Sequence, residues 1–472
     1  MVDNKDKLGE KIKAYFKDNW VNKSLSRQAG LNFLPKYVSE YIIGVFYQRT
    51  ESEEEALTTA KKFVNDHYPD SHSSEYLKHQ LIEKNTIEII QKFKVNVNLN
   101  TEFYYANIPI IGERIWVDPT YVERYPALLT TGMWGKGTLT RDLQDDTDAD
   151  VLLVDYMPFQ VGSFDDEELF EGRAHCTLKE WIDILVTSIG LNPSNLNDEE
   201  KIMILMRFLP LIRRNLNIAE FGPKSTGKTY VFRHFSSYIH IISGSSVTPA
   251  KFIYDLAKRS PGLITSNDTV VFDEVTSAEF GSKKDYEMIG LLKDYMEGGH
   301  VSRGTYEASE DTSLVFIGNI NVSKKQPRFR DYSRDLPFAF SDTAFLDRIH
   351  GVIPGWRIPK ISQIEESLSD SAGLMSNYLG EMFHKMRRYD HPSMDWSLVT
   401  SNFGMVRNEK AVRTITEGLL ALLFPGVSAS SHDINFCLKL GCELRQNIYD
   451  QLTFLDPEEF PKLTLTAEIH QV

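Results

Sequence analysis

Residues 215–235 read NLNIAEFGPKSTGKTYVFRHF, and this stretch decides the fold. Residues 216–221 suit a buried strand and those after 228 a helix. Between them Gly222, Pro223, Lys224, Ser225, Thr226, Gly227, Lys228 and Thr229 fit G-x-x-x-x-G-K-[ST] without a mismatch. Glycines let backbone N–H groups turn inward around phosphate, reinforced by the positive end of the following helix. Lys228 is expected to reach the β- and γ-phosphates of ATP, and Thr229 the Mg²⁺ ion.

Working outward, TVVFDE at 269–274 places four strand-forming residues before paired carboxylates. Asp273 is expected to help hold Mg²⁺ and Glu274 to polarise the attacking water. SLVFIGN at 313–319 ends in a carboxamide: Asn319 can orient that water or sense the γ-phosphate, with Asn321 as its rival. In DTAFLDRIH, Arg348 is a candidate to complete a neighbouring subunit's site, against a plain ion pair with Asp347 or Asp342. Arg413 and Arg407 compete for a phosphate contact within the subunit, Arg413 being preferred. Together these elements predict an α/β P-loop core of the AAA+ type.

At 472 residues the chain exceeds one ordinary core, so two or three domains are expected. The 42% apolar and 25% charged fractions are those of a soluble globular protein. No apolar run suffices to cross a bilayer, and the first residues lack a secretory pattern. Cys176, Cys437 and Cys442 have neither CxxC spacing nor an even framework. A cytoplasmic protein without membrane association is the expectation. The net charge of −14 argues against a surface that coats nucleic acid, but leaves room for a basic channel.

Along the chain, residues 1–92 read as a helical region and 93–175 as a small β-rich domain. Residues 176–345 read as the α/β ATPase core and 346–472 as a C-terminal helical lid. Glu51–Glu55 reads as a solvated helix start. The acidic stretches 144–150 and 165–168 lack EF-hand spacing and read as solvated loops. Leu178, Trp181, Ile182, Leu185 and Ile189 line one helical face. KIMILMRFLPLIRR, from Lys201, is apolar nearly all round and should be buried.

FGPKSTGKTYVFR, VVFDEV, LLKDYMEGGHVSRG, LVFIGNI, DTAFLDRIHGVIPGWRIPK and LPKYVSEYIIGVF together resemble the BrxL family, Lon-related AAA+ ATPases of bacterial BREX phage-defence systems. The resemblance runs from about residue 25 to about 455. It implies an MCM-like homo-oligomeric ring, hexameric or paired hexamers, and double-stranded DNA bound through the N-terminal β-rich domain and the pore. Other BREX components are implied as partners. It also turns residues 298–312 into a pore hairpin inserted ahead of Asn319, with Arg303 and His300 facing DNA phosphates. The basic loop Ser323–Arg334, including Lys324 and Lys325, would serve DNA or a subunit interface, or simply be solvated. Longer relatives carry a Lon-protease-like C-terminal domain, whereas some seventeen residues follow Leu455 here. Proteolysis is therefore not expected.

The expected activity is ATP hydrolysis coupled to duplex DNA. Two other classes stay open: a protein unfoldase, disfavoured because Tyr306 is the hairpin's only aromatic, and an ATP-assembled DNA scaffold that does not translocate.

Overall fold

Five short runs, largely apolar but with Glu220 inside β1 and His240 inside β2, form the central sheet: β1 (Ile218–Gly222), β2 (Ile239–Ser243), β3 (Thr269–Asp273), β4 (Ser313–Asn319) and β5 (Gly351–Pro354). All pairings are parallel, in the spatial order β5-β1-β4-β3-β2. A parallel sheet is covered on both faces, which is why β1, β4 and β5 are buried almost throughout. In this computed structural model the described residues are 4–28, 30–69, 73–112, 114–141, 151–160, 164–243, 247–257, 259–276, 286–361, 364–389 and 394–470. The acidic stretch 144–150 lies outside them. The chain has the α/β fold with a parallel sheet expected from its sequence.

Contacts divide the chain into two units: Met1–Lys17, Asp165–Leu374 and Gly380–Val472 in one, Asp18–Phe164 and Met375–Leu379 in the other. The first holds the parallel sheet. Its helices include α1 (Lys228–Phe235), α2 (Tyr286–Gly298), α3 (Thr343–Asp347), α4 (Val406–Leu423) and α5 (Ser431–Leu455). Phe221, Phe272, Phe316, Phe340 and Phe345 pack in its core. The helix Leu178–Ser188 starts at a Thr177 capping box, and its buried Trp181 donates Nε1–H to Leu422 O at 3.0 Å. Cys437 and Cys442 are buried, and burial pushes their thiols up to about 12 and about 11, as packing residues rather than nucleophiles. After α5 the chain returns as a strand, Thr466–Ile469, antiparallel to Val399–Asn402. Nothing in the local sequence pattern announced that pairing.

The second unit opens with helices, among them Lys36–Thr50, Glu53–His67 and Ser74–Lys84. Ser52 caps the second of these, and Glu53–Glu55 occupy its first turn, where the helix dipole favours anions. A six-stranded sheet follows. Its first strand, Thr86–Phe93, starts inside the region read as helical, because its polar alternation with Glu88, Gln91 and Lys92 mimics a helix surface. The spatial order is 86–93, 133–141, 151–158, 114–117, 103–107 and 95–98, antiparallel except between 114–117 and 151–158. Ile89, Phe93, Ile115, Leu139 and Tyr156 belong to its separate core. Among the described residues, no helix is long and apolar enough to cross a membrane.

Candidate nucleotide site

The register sets the site. Gly222 at the end of β1 pairs with Asn319 at the end of β4, and β3 ends beside β4 at Asp273. Loops after adjacent parallel strands therefore converge at one sheet edge, where ligands of open α/β sheets sit. A Cβ on Gly222 would lie 2.5 Å from the Gly355 carbonyl carbon, so only glycine admits this approach. The turn is closed by Ser225 and Gly227 at φ 69° and 74°, and α1 starts at Lys228.

Lys228 is buried and donates from Nζ to the loop's own carbonyls, Gly222 O at 3.2 Å and Pro223 O at 2.6 Å. Burial lowers its pKa; Glu220 and Asp273 oppose the change, while Arg207 adds to it. Thr226 Oγ1 is buried with no hydrogen-bond partner among the described residues. Glu274 takes a left-handed φ of 57°, and its N–H donates to Asp273 Oδ1 at 2.9 Å. A non-glycine residue in that region is a strained arrangement of the kind that gathers at functional sites.

Asn319 donates its backbone N–H to Thr276 Oγ1 at 3.2 Å and stands opposite Gly222. Asn321 instead turns its carboxamide to Asp335 at 3.4 Å. The structure thus brings together the 222–229 loop, Asp273, Glu274 and Asn319. It does not bring Arg413 to them: that guanidinium lies 4.7 Å over the Trp396 ring and 2.6 Å from Glu409. Arg348, just past α3, lies 3.1 Å from Glu297 Oε2 and donates to Ala344 O at 2.7 Å. Neither sequence neighbour is its ion-pair partner. Asp347 is taken by Arg407 and the buried Arg445, and Asp342 by Lys293 at 2.9 Å. Arg407 also holds Glu297, and its hydrogen bond keeps that carboxyl below the ordinary range.

The hairpin ahead of β4 is present, His300–Arg303 against Tyr306–Ser309, with His300 exposed. Arg303 donates to Tyr254 O, and Tyr254 stacks on Tyr306 at 4.1 Å. Tyr254 belongs to a second hairpin, Tyr254–Asp255 with Ser260–Pro261, which sequence reading missed because each strand is two residues long. Lys324 and Lys325 form the tip of a two-residue turn, both at positive φ, and Lys325 reaches Glu200 at 3.1 Å. The side chain of Arg334 lies outside the described residues.

Also missed were Arg207 and Glu220, a buried pair beneath the loop, with Nε to Oε2 at 2.9 Å and Nη2 to Oε1 at 2.8 Å. The available signal was an opposite charge in each of two apolar runs, KIMILMRFLPLI and LNIAEF. No cluster of three His, Cys, Asp or Glu suited to a metal occurs among the described residues. Thr229 and Asp273 offer two hard oxygen donors, which suits Mg²⁺ completed by phosphate and water.

Residues 151–466 match the family described as "Lon-like protease BrxL-like, ATPase domain". Residues 14–141 match "BREX system Lon protease-like protein BrxL N-terminal". The Escherichia coli "Lon-like protease BrxL" is 32% identical over 457 residues, covering 95% of this chain and 65% of the relative. The Bacillus cereus protein of the same description is 31% identical over 467 residues, 96% and 68% respectively. The chain therefore spans about two thirds of the length of these relatives. Among solved structures, a full-length MCM homolog from Methanopyrus kandleri aligns with TM-score 0.42 and 9% identity, covering 77% of this chain and 78% of that one.

Proposed function

The chain belongs to the BrxL family, and on that premise we propose an ATP-hydrolysing ring that binds double-stranded DNA in BREX-type anti-phage defence. The observation that carries this reading is the convergence of the 222–229 loop, Asp273, Glu274 and Asn319 at one sheet edge. Mg²⁺ bound with ATP supplies charge neutralisation across the phosphates. Thr229 and Asp273 would hold that ion. Lys228 would exchange its two carbonyl acceptors for phosphate oxygens, and the unpartnered Thr226 hydroxyl marks a cradle with unused polar capacity. Glu274 would take a proton from the attacking water, with Asn319 orienting it.

Arg348 would act across a homo-oligomeric interface in a hexamer or paired hexamers. It must first leave Glu297, as Arg413 must leave Trp396 and Glu409 to meet phosphate. His300 and, once released from Tyr254, Arg303 would meet DNA phosphates in the ring, with Lys324 and Lys325 adding positive charge. The test is turnover by purified protein with Mg²⁺, ATP and duplex DNA. E274Q should bind nucleotide yet hydrolyse it about a hundredfold slower or worse, and K228A should lose binding. Wild-type turnover by E274Q would defeat the assignment.

A further inference from the structure

Arg207 sits in the short turn Met206–Phe208, and Glu220 is the third residue of β1. Both side chains are only 1% exposed. Glu220 is flanked in register by Ile317 and Ile353, an apolar setting for a charge. Room for its carboxylate depends on Gly355, where a Cβ would come within 3.0 Å of Oε1. An ion pair so deeply buried contributes little to stability compared with apolar residues of the same volume. Stability alone therefore does not account for it.

Arg207 does one thing more. Its Nη2 also donates to Thr226 O at 3.2 Å, inside the phosphate loop. A peptide unit is planar and trans, so its C=O and N–H point in opposite directions. Fixing the Thr226 carbonyl towards Arg207 therefore aims the Gly227 N–H away from it. The preceding unit is pinned in the same way, because Ser225 O accepts from Ile361 N–H at 2.8 Å. Two successive carbonyls are thus tied to fixed donors, and each peptide's N–H is committed to the side opposite its own carbonyl.

We propose that Arg207 and Glu220 are a positioning pair: Glu220 aims the guanidinium, and the guanidinium sets the peptide that presents Gly227 N–H to a nucleotide phosphate. This rests on the nucleotide reading of the loop. Lysine at 207 would keep the charge but not the planar fork that serves carboxylate and carbonyl together.

The experiment measures binding of a fluorescent ATP analogue with Mg²⁺, alongside thermal melting without nucleotide, on the full chain. R207M/E220L removes both charges, so it should melt within a few degrees of wild type. Its affinity should nevertheless fall about tenfold or more, the scale of a misplaced contact. R207K should fold and fall between the two. Wild-type affinity in folded R207M/E220L would overturn the proposal. Should that double variant not fold, R207K decides: weakened binding at unchanged melting supports the pair, and wild-type binding overturns it. K228A separates the two readings. If K228A binds like wild type, the loop is no nucleotide site; if it loses binding while R207M/E220L keeps it, only the positioning role fails.

Discussion

In each unit an ion pair lies at 1% exposure or less, Lys23 with Glu40 and Arg207 with Glu220, and the two are built in opposite senses. In the N-terminal unit the carboxylate of Glu40 is the hub. It accepts from Lys23 Nζ at 2.9 Å on both oxygens, from Ser376 N and Oγ at 2.8 Å each, and has Lys36 at 3.4 Å. In the ATPase unit the guanidinium of Arg207 is the hub, shared between Glu220 and the Thr226 carbonyl. An acceptor hub collects donors, and here it fixes residues 375–379 within the N-terminal unit. A donor hub can orient a carbonyl, and here that carbonyl lies in the phosphate loop. The cations differ as well: arginine keeps its charge when buried, whereas lysine yields. Burial pulls Lys23 down to about 8. Burial also opposes the charge on Glu40, but Lys23 and Lys36 together hold that carboxyl below its usual range.

The largest effect should come from removing one cation. R207M strands the buried Glu220 carboxylate and should cost about 3–5 kcal/mol in urea denaturation, whereas K23M leaves Glu40 with Lys36 and Ser376 and should cost less. Only R207M should weaken nucleotide binding beyond its loss of folded protein. Equal loss of affinity in folded K23M would erase the contrast between the hubs.

A smaller, pH-dependent effect should single out Lys23. The unfolded chain keeps that proton to about 10.5, while the folded chain releases it near 8. Between these values the unfolded state binds the extra proton, so the contribution of Lys23 to stability rises with pH, on the order of 1–3 kcal/mol at most. Wild type compared with K23M should show this rise between pH 8 and 10. A flat difference would mean that Lys23 does not titrate there.

The smallest effect concerns two hydroxyls. Ser376 Oγ donates to Glu40, so S376A should cost about 0.5–1.5 kcal/mol. Thr226 Oγ1 has no hydrogen-bond partner among the described residues, so T226A should be neutral or slightly stabilising without nucleotide. Equal destabilisation by the two would contradict the contrast.

Much of the 222–229 loop was legible because its pattern is local. Gly222, Gly227, Lys228 and Thr229 are fixed by spacing within eight residues, and TVVFDE carries its own strand and carboxylates. Arg348 shows the limit. Its sequence neighbours Asp342 and Asp347 looked like partners, yet Glu297 is the carboxylate beside it, because α2 ends next to α3. Arg303 likewise looked free to face a ligand until the hairpin at 254–261 supplied Tyr254 O. The strand at 86–93 was read as helix because exposed polar positions disguised its period of two.

By itself the sequence determined the parallel α/β core, the glycine-bearing loop after β1 and the carboxylates where β3 ends, since hydrophobic period and backbone-specific residues act over a few positions. Only the tertiary structure decided which charges meet. Arg207 with Glu220, Lys23 with Glu40, and Arg348 with Glu297 are separated by 13, 17 and 51 positions. No local pattern encodes such pairs: a charge takes whichever opposite charge the packing delivers within about 3 Å.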